Sequence, residues 1–119
     1  MKALAITILF FTVFSIKNFA QDKIIAADAE KIILDNSKMR VTEFVSIAGG
    51  NVCGKNSHSH GPHLTVILTD AEVELTMPDR KKMIQKAPAG TTFWSEAETH
   101  TIKNIGKAPV RVQIIEPKS

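Results

Sequence analysis

The stretch HLTVILTDAEVELTMPDRKKMIQKA, residues 63–87, has the hydrophobic periodicity of β-strands. Its opening segment, HLTVILT, is almost continuously apolar and rich in β-branched side chains, which is typical of a buried strand. The next segment alternates, with Val73, Leu75 and Met77 on one face and polar residues on the other. Pro78-Asp79 then begins a turn. The stretch therefore predicts two strands, a turn, and a weaker strand signal in KMIQKA.

The same pattern continues on both sides of this stretch. Strand-like segments precede it as EKIILDN and RVTEFVSIA, and follow it as TTFWSE, HTIKNIG and VRVQIIE. Turn signals recur about every ten residues, a spacing that is typical of an all-β sandwich or barrel. No segment after residue 29 keeps a helical period over three turns. We therefore predict an all-β domain.

The N-terminal sequence MKALAITILFFTVFSIKNFA, residues 1–20, has the layout of a secretory signal peptide. A basic start at Lys2 is followed by an apolar run that is shorter than the ~18 residues of a spanning helix. Ala20 supplies a small residue for cleavage, and an uncleaved anchor is the alternative. We expect cleavage, a secreted or periplasmic protein without stable membrane insertion, an N-terminal arm over residues 21–29, and one domain over residues 30–117.

Charge and size restrict the partners of this chain. Its 119 residues include 15 Lys and Arg against 12 Asp and Glu, a net charge of +3. Loss of Lys2 and Lys17 with the signal peptide would leave +1, and the remaining basic residues are scattered, so we predict no nucleic-acid partner. A mature chain of about a hundred residues can form one modest core. We expect a homodimer, with the segment before Arg40 as the strand that pairs with the neighbour.

Cys53 is the only cysteine of the chain, so an intrachain disulfide is excluded. An exported domain without a disulfide depends on its core, a metal or oligomerisation. Cys53 lies five residues before the first histidine. It is therefore either a thiolate ligand or, as free cysteines usually are, a small buried apolar residue.

Three of the four histidines lie in the segment GKNSHSHGPHL, residues 54–64. In an extended chain, His58 and His60 point to the same face. His63 begins the next strand after a Gly-Pro turn, and a hairpin at this turn would bring it beside the first pair. His100 begins another predicted strand, and histidine is the commonest metal ligand near neutral pH. The pattern predicts a metal site formed by His58, His60, His63 and His100, with a weakly binding surface tract as the alternative.

This segment resembles the first motif of the cupins, in which a glycine precedes His-x-His and an acidic ligand stands before an apolar strand. His58 and His60 match the His-x-His pair, and His63 stands where the cupin glutamate is found. Val52 occupies the position of the expected glycine. The substitution of the glutamate implies a site of four neutral histidines, which would leave the full charge of a divalent metal uncompensated and favour an anion beside it.

The segment GTTFWSEAETHTIKN, residues 90–104, resembles the second cupin motif. Gly90 matches its first glycine, His100 its metal-binding histidine, and Asn104 its asparagine. Glu96 and Glu98 replace the usual proline and glycine of the motif. These two carboxylates are the ones nearest in sequence to a predicted ligand. Either could serve as the acid or base of a catalyst, but we expect both to be exposed turn residues.

The resemblance implies a cupin-type double-stranded β-helix, or jelly-roll barrel, that covers almost the whole mature chain. It also implies a divalent transition metal, which the sequence leaves open among Zn, Ni, Fe, Cu and Mn. Three functions fit: a metal-dependent dioxygenase or isomerase acting on a small, anionic substrate; a non-catalytic module that binds a metal or small ligand; and a barrel stabilised by a structural metal. The resemblance assigns no catalytic residue.

Overall fold

The computed structural model describes residues 26–119, and these residues form nine antiparallel strands without a helix. The strands are β1 (Ala29–Asp35), β2 (Met39–Ser46), β3 (His58–His60), β4 (His63–Ile67), β5 (Ala71–Thr76), β6 (Lys82–Ala87), β7 (Thr92–Ser95), β8 (Glu98–Asn104) and β9 (Val110–Pro117). The all-β prediction is confirmed. The predicted signal peptide and residues 21–25 of the predicted arm lie outside the described part, and β1 begins at the last residue of that arm.

Within residues 26–119, no helix has the length and hydrophobicity that crossing a membrane requires.

The strands form two sheets that face each other. One sheet has the order β1-β2-β9-β4-β7, and the other has the order β3-β8-β5-β6. The last strand, β9, lies at the centre of the larger sheet, between β2 and β4. Strands that are distant in sequence are therefore neighbours in both sheets, and the chain passes repeatedly from one sheet to the other.

The core lies between the sheets and is built from alternate residues of the strands, as expected for a half-buried strand. On β9, Val110, Val112 and Ile114 are almost fully buried, whereas Arg111 is exposed. The other buried apolar residues of the core are Val52, Cys53 and Ile67. The alternation of VRVQIIE thus places one face of β9 inside the barrel.

One of the two outer strands of the larger sheet, β1, is exposed along its whole length. Its apolar side chains Ile32, Ile33 and Leu34 are 54%, 46% and 44% exposed. The pairing of β1 with β2 is interrupted by a register shift between Ile32 and Leu34. The segment before Arg40 therefore forms an apolar edge strand, and the homodimer stays a prediction.

Asn104, at the end of β8, is fully buried. Its Nδ2 group donates hydrogen bonds to the carbonyl oxygens of Ser46 (3.3 Å), Ile47 (3.1 Å) and Ala108 (2.8 Å). Its Oδ1 atom accepts one from the backbone N–H of Gly106, at 3.0 Å. The asparagine of the second motif thus joins the end of β2 to the β8–β9 turn.

Candidate metal centre

The pairing of β3 with β8 brings two histidines face to face. His58 lies directly opposite His100 in the ladder, and His60 lies opposite Glu98. The imidazole centroids of His58 and His100 are 4.7 Å apart. Residues that are 42 positions apart in sequence therefore share one short ladder.

The predicted hairpin between β3 and β4 is wrong. These strands belong to different sheets, because β4 pairs with β7 and β9 whereas β3 pairs with β8. Pro62 lacks a backbone N–H and cannot extend a strand ladder, so the Gly-Pro pair is a suitable place for the chain to change sheets. His63 nevertheless lies beside the others, with its ring centroid 5.0 Å from that of His60.

Four side chains converge at one end of the barrel. Ligand atoms of Cys53, His58, His60 and His100 all lie within 4.8 Å of one another, and this cluster could hold a metal ion. The Cys53 Sγ atom is 3.2 Å from His58 Nε2 and 3.6 Å from His100 Nε2. The cluster thus contains three of the four predicted histidine ligands. His63 is outside it, although it is buried and adjacent to His60.

The loop around β3 orients the histidine rings through its backbone carbonyl groups. Three ring nitrogens donate to carbonyl oxygens: His58 Nδ1 to Asn56 O (3.0 Å), His60 Nε2 to Cys53 O (2.9 Å), and His63 Nδ1 to Gly61 O (2.7 Å). Because a carbonyl oxygen can only accept, each of these ring nitrogens carries the proton. In the neutral ring the other nitrogen therefore keeps its lone pair, which is the arrangement of metal-ligating histidines.

His100 is buried and differs from the other three histidines. Its Nδ1 atom lies 3.3 Å from Glu98 Oε1. The two atoms are not in hydrogen-bond geometry. Among the buried side-chain nitrogen and oxygen atoms of the described residues, His100 Nδ1 is the one without a hydrogen-bond partner. The Nε2 atom of the same ring faces the sulfur of Cys53. His100 therefore has hydrogen-bonding capacity that its protein neighbours do not meet.

The expectation of an exposed turn position is wrong for Glu98. This residue begins β8, is partly buried, and lines the barrel interior. The sequence held the signal, because residues two apart in a strand share a face, and Glu98 stands two residues before His100. Glu96 is exposed, as expected, and accepts a hydrogen bond from the Trp94 indole N–H at 3.0 Å.

Burial shifts the pKa values of His100, His60 and Cys53. It lowers the pKa of His100 to about 4, with smaller contributions from the neighbouring histidines. Burial also lowers the pKa of His60. It raises the pKa of the Cys53 thiol to about 12, and the charge of Glu98 adds to this rise. At neutral pH His60 and His100 are thus uncharged in the metal-free cluster, and Cys53 keeps a thiol proton that a metal would have to displace.

A cavity of about 210 Å³ extends from the cluster into the barrel. Cys53, His63, Glu98 and His100 line its polar end, and most of its other lining residues are apolar. Its volume is below the ~300–1,000 Å³ of pockets for drug-sized ligands, so it suits a small molecule. Among the described residues that line it, none is a lysine or arginine.

Comparison with known proteins finds similarity to solved structures. No family model matches the chain, and no curated protein matches it.

Solved structures do resemble it. A cupin domain from Bordetella pertussis has a TM-score of 0.70 and 21% identity, over 78% of this chain and 95% of that one. An RmlC-like cupin family protein with a double-stranded β-helix fold from Methanocaldococcus jannaschii has a TM-score of 0.62 and 13% identity, over 81% and 84%. The polyketide cyclase RemF from Streptomyces resistomycificus has a TM-score of 0.61 and 17% identity, over 79% and 67%. The predicted cupin fold is therefore confirmed.

Proposed function

We propose that this cupin-fold protein binds one divalent transition metal ion through His58, His60, His63 and His100. The observation that carries the proposal is the convergence of ring nitrogens of His58, His60 and His100, which lie within 4.8 Å of one another. The carbonyl groups of the loop around β3 hold the rings of His58 and His60 with one nitrogen available to a metal. The unmet hydrogen-bonding capacity of His100 supports the same conclusion.

His63 is the fourth proposed ligand, although it lies outside the cluster. Its Nδ1–H group is bound to the carbonyl oxygen of Gly61, which leaves Nε2 for another partner. Its ring is buried, lies beside that of His60, and lines the cavity. These features favour a ligand over a surface histidine.

The bound metal would face a cavity in which a small molecule can react. We therefore propose that the protein acts on a small substrate as a metal-dependent enzyme of the dioxygenase or isomerase class. RemF, a polyketide cyclase with this fold, illustrates that the fold can carry an enzyme. Glu98 supplies a carboxylate to the cavity. An anionic substrate would depend on the metal for its counter-charge, since the described lining offers no lysine or arginine.

A structural metal is the second candidate function. The observation that favours it is the four-donor set of Cys53, His58, His60 and His100. Four protein ligands that closed a tetrahedral site would leave no open position for a substrate. Counting the non-protein ligands in a metal-loaded crystal structure distinguishes the two, since the enzyme requires at least one.

Elemental analysis of protein purified without an affinity tag tests the proposed site. We expect one divalent transition ion per chain, and loss of that ion in a His58→Ala, His60→Ala double variant. Ser59→Ala is a matched control, because Ser59 lies between them in β3 and is exposed, with its hydroxyl 2.6 Å from that of Thr99. An unchanged metal content in the double variant would exclude this site.

The protein is further proposed to be exported to the periplasm or medium after removal of residues 1–20. N-terminal sequencing of the protein from its native host tests this. Recovery of Lys2 or Lys17 in the stable product would contradict it.

A homodimer is also proposed, formed along the β1 edge. The support is the exposure of Ile32, Ile33 and Leu34 on an outer strand. Exposed apolar edge strands are sites of association. Light scattering at tens of micromolar metal-loaded protein should give twice the monomer mass, and a monomer mass would count against the dimer.

A further inference from the structure

We infer that Cys53 supplies a thiolate ligand to the bound ion and that this sulfur makes the site select zinc over manganese. The inference rests on the proposed metal site, because the histidines must bind the ion first. It adds a fifth donor to the four histidines that the sequence indicates.

The sulfur of Cys53 lies beside two proposed ligand nitrogens. Cys53 Sγ lies 3.2 Å from His58 Nε2 and 3.6 Å from His100 Nε2. In the neutral ring of His58, the bond from Nδ1–H to the carbonyl oxygen of Asn56 leaves the lone pair of Nε2 free for a partner. A thiol has one proton and can donate it to only one of the two rings. A metal ion among these atoms would accept both nitrogen lone pairs and the sulfur.

The backbone around Cys53 holds its side chain beside the histidines. Its φ angle is +55°, a left-handed conformation that favours glycine and is uncommon for other residues. The preceding residue, Val52, donates its N–H to the carbonyl oxygen of Ile102 on β8, at 2.9 Å. A Cβ atom at the following residue, Gly54, would lie 2.7 Å from the ring of His58. The loop is therefore fixed against the strand of His100 and the ring of His58, with the sulfur between them.

Cys53 contributes to the cluster through its backbone as well. Its carbonyl oxygen accepts the Nε2–H group of His60 at 2.9 Å. The same residue thus orients one proposed ligand and presents its own side chain to the same cluster. Any residue at this position would offer the carbonyl oxygen, whereas only cysteine offers the sulfur.

A thiolate would also offset part of the charge of the bound ion. His63 stands where the cupin motif has an acidic ligand, so the histidines alone give the ion no negative partner. On metal binding, the S–H bond of Cys53 would break, its proton would pass to solvent, and a sulfur–metal bond would form. One thiolate then offsets one of the two charges of the ion. Thiolate and imidazole together suit zinc, whereas manganese prefers oxygen ligands.

Cobalt substitution tests this inference, since cobalt(II) bound to a thiolate has a sulfur-to-metal charge-transfer band in the near ultraviolet. The metal-free protein is titrated with cobalt(II) and then with zinc. We expect the band to saturate at one cobalt per chain and to disappear when zinc displaces the cobalt. This measurement needs no variant, so a folding defect cannot obscure it.

Cys53→Ser is the matched variant, because it keeps the size and the backbone constraint of the residue. We expect it to bind cobalt through the histidines without the charge-transfer band. Its zinc affinity should fall about 100-fold or more, which exceeds the typical loss of about 10- to 100-fold for an outer-shell change. Its manganese affinity should stay nearly the same. Urea unfolding of the metal-free variant shows whether it is folded.

Two results would overturn the inference and leave the histidine site intact. One is a wild-type cobalt complex without the band, and the other is a folded Cys53→Ser variant with unchanged zinc affinity. If the wild type and the His58→Ala, His60→Ala variant both fail to bind cobalt and zinc, the proposed function falls as well.

Discussion

His100 and Asn104 lie four residues apart on β8, and both are buried. The side chain of Asn104 has hydrogen-bond partners at both its nitrogen and its oxygen, all of them backbone groups. The side chain of His100 has an unpartnered Nδ1 atom and an Nε2 atom that faces a thiol. The polar side-chain atoms of Asn104 are thus all hydrogen-bonded within the protein, whereas His100 keeps a buried nitrogen without a partner.

This contrast concerns how completely the protein satisfies its own buried polar side chains. A buried polar group without a partner lowers stability, so it persists where a ligand or a chemical role accounts for it. Both residues occupy positions of the same sequence motif, which by itself does not distinguish their roles. Their surroundings do, and the differences can be measured.

The largest expected effect is on the stability of the metal-free protein. Asn104→Leu would remove the side-chain donor from the carbonyl groups of Ser46 and Ala108 and the acceptor from the N–H of Gly106, whereas the carbonyl of Ile47 would keep the N–H of Gly50. At about 1–3 kcal/mol for each buried unpaired group, the free energy of unfolding should fall by about 3 kcal/mol or more. His100→Leu removes an unpartnered group from a mostly apolar cavity and should cost about 1 kcal/mol or less.

Urea unfolding in the presence of a chelator measures both variants. A His100→Leu variant that is destabilised as much as Asn104→Leu would remove the contrast. It would mean that the metal-free protein already depends on the His100 ring for its fold.

Added zinc should bring the stabilities of the two variants closer together. A ligand present at 100 times its Kd stabilises the folded state by about 2.7 kcal/mol. The Asn104→Leu variant keeps all proposed ligands and should gain as much as the wild type. His100→Leu should gain little. Thermal unfolding with and without zinc checks this, and an equal gain in both variants would exclude His100 as a ligand.

The third effect is the pH dependence of the metal-free protein. The pKa of His100 is lowered from 6.5 to about 4 in the folded state. Between these values the unfolded chain binds a proton that the folded protein does not bind, so stability rises with pH. Through His100, the free energy of unfolding should therefore be roughly 1–3 kcal/mol lower near pH 4 than above pH 6.5.

The control for this prediction is again at the other end of β8. The urea midpoint of His100→Leu should depend less on pH than that of the wild type. Asn104 does not titrate, so Asn104→Ser, a milder change, should keep the wild-type slope. Equal slopes in all three proteins would show that another group governs the acid sensitivity.

The strands and the histidines could be predicted from the sequence because their signals are local. Alternation in AEVELTM and VRVQIIE predicts strands directly, and the spacing of His58 and His60 predicts a shared face. The hairpin at Pro62 was wrong because the choice of sheet depends on long-range pairing of β3 with β8. For Cys53, the sequence allowed both burial and metal contact, and only the fold brings its sulfur to His100, which is 47 residues away.

The smallest expected effect concerns His63 on β4. Its hydrogen bonding is intermediate between that of Asn104 and that of His100. One of its ring nitrogens is bound to Gly61 O, and the other is left for a partner. His63→Glu restores the acidic residue of the cupin motif and lowers the charge beside the metal by one unit. At an effective dielectric constant near that of water, one unit charge about 4 Å away is worth about 1 kcal/mol. Azide should therefore bind the metal-loaded variant roughly fivefold more weakly than the wild type.

The comparison with His63→Ala separates the loss of a ligand from the gain of a charge. His63→Ala should weaken metal retention and should not repel azide, because it introduces no carboxylate. Azide titrations of the cobalt-loaded proteins measure both effects through the spectrum of the metal. If His63→Glu binds azide as tightly as the wild type and leaves the cobalt spectrum unchanged, His63 is not a ligand. The ion would then be held by the four residues that already converge in the absence of metal, Cys53, His58, His60 and His100.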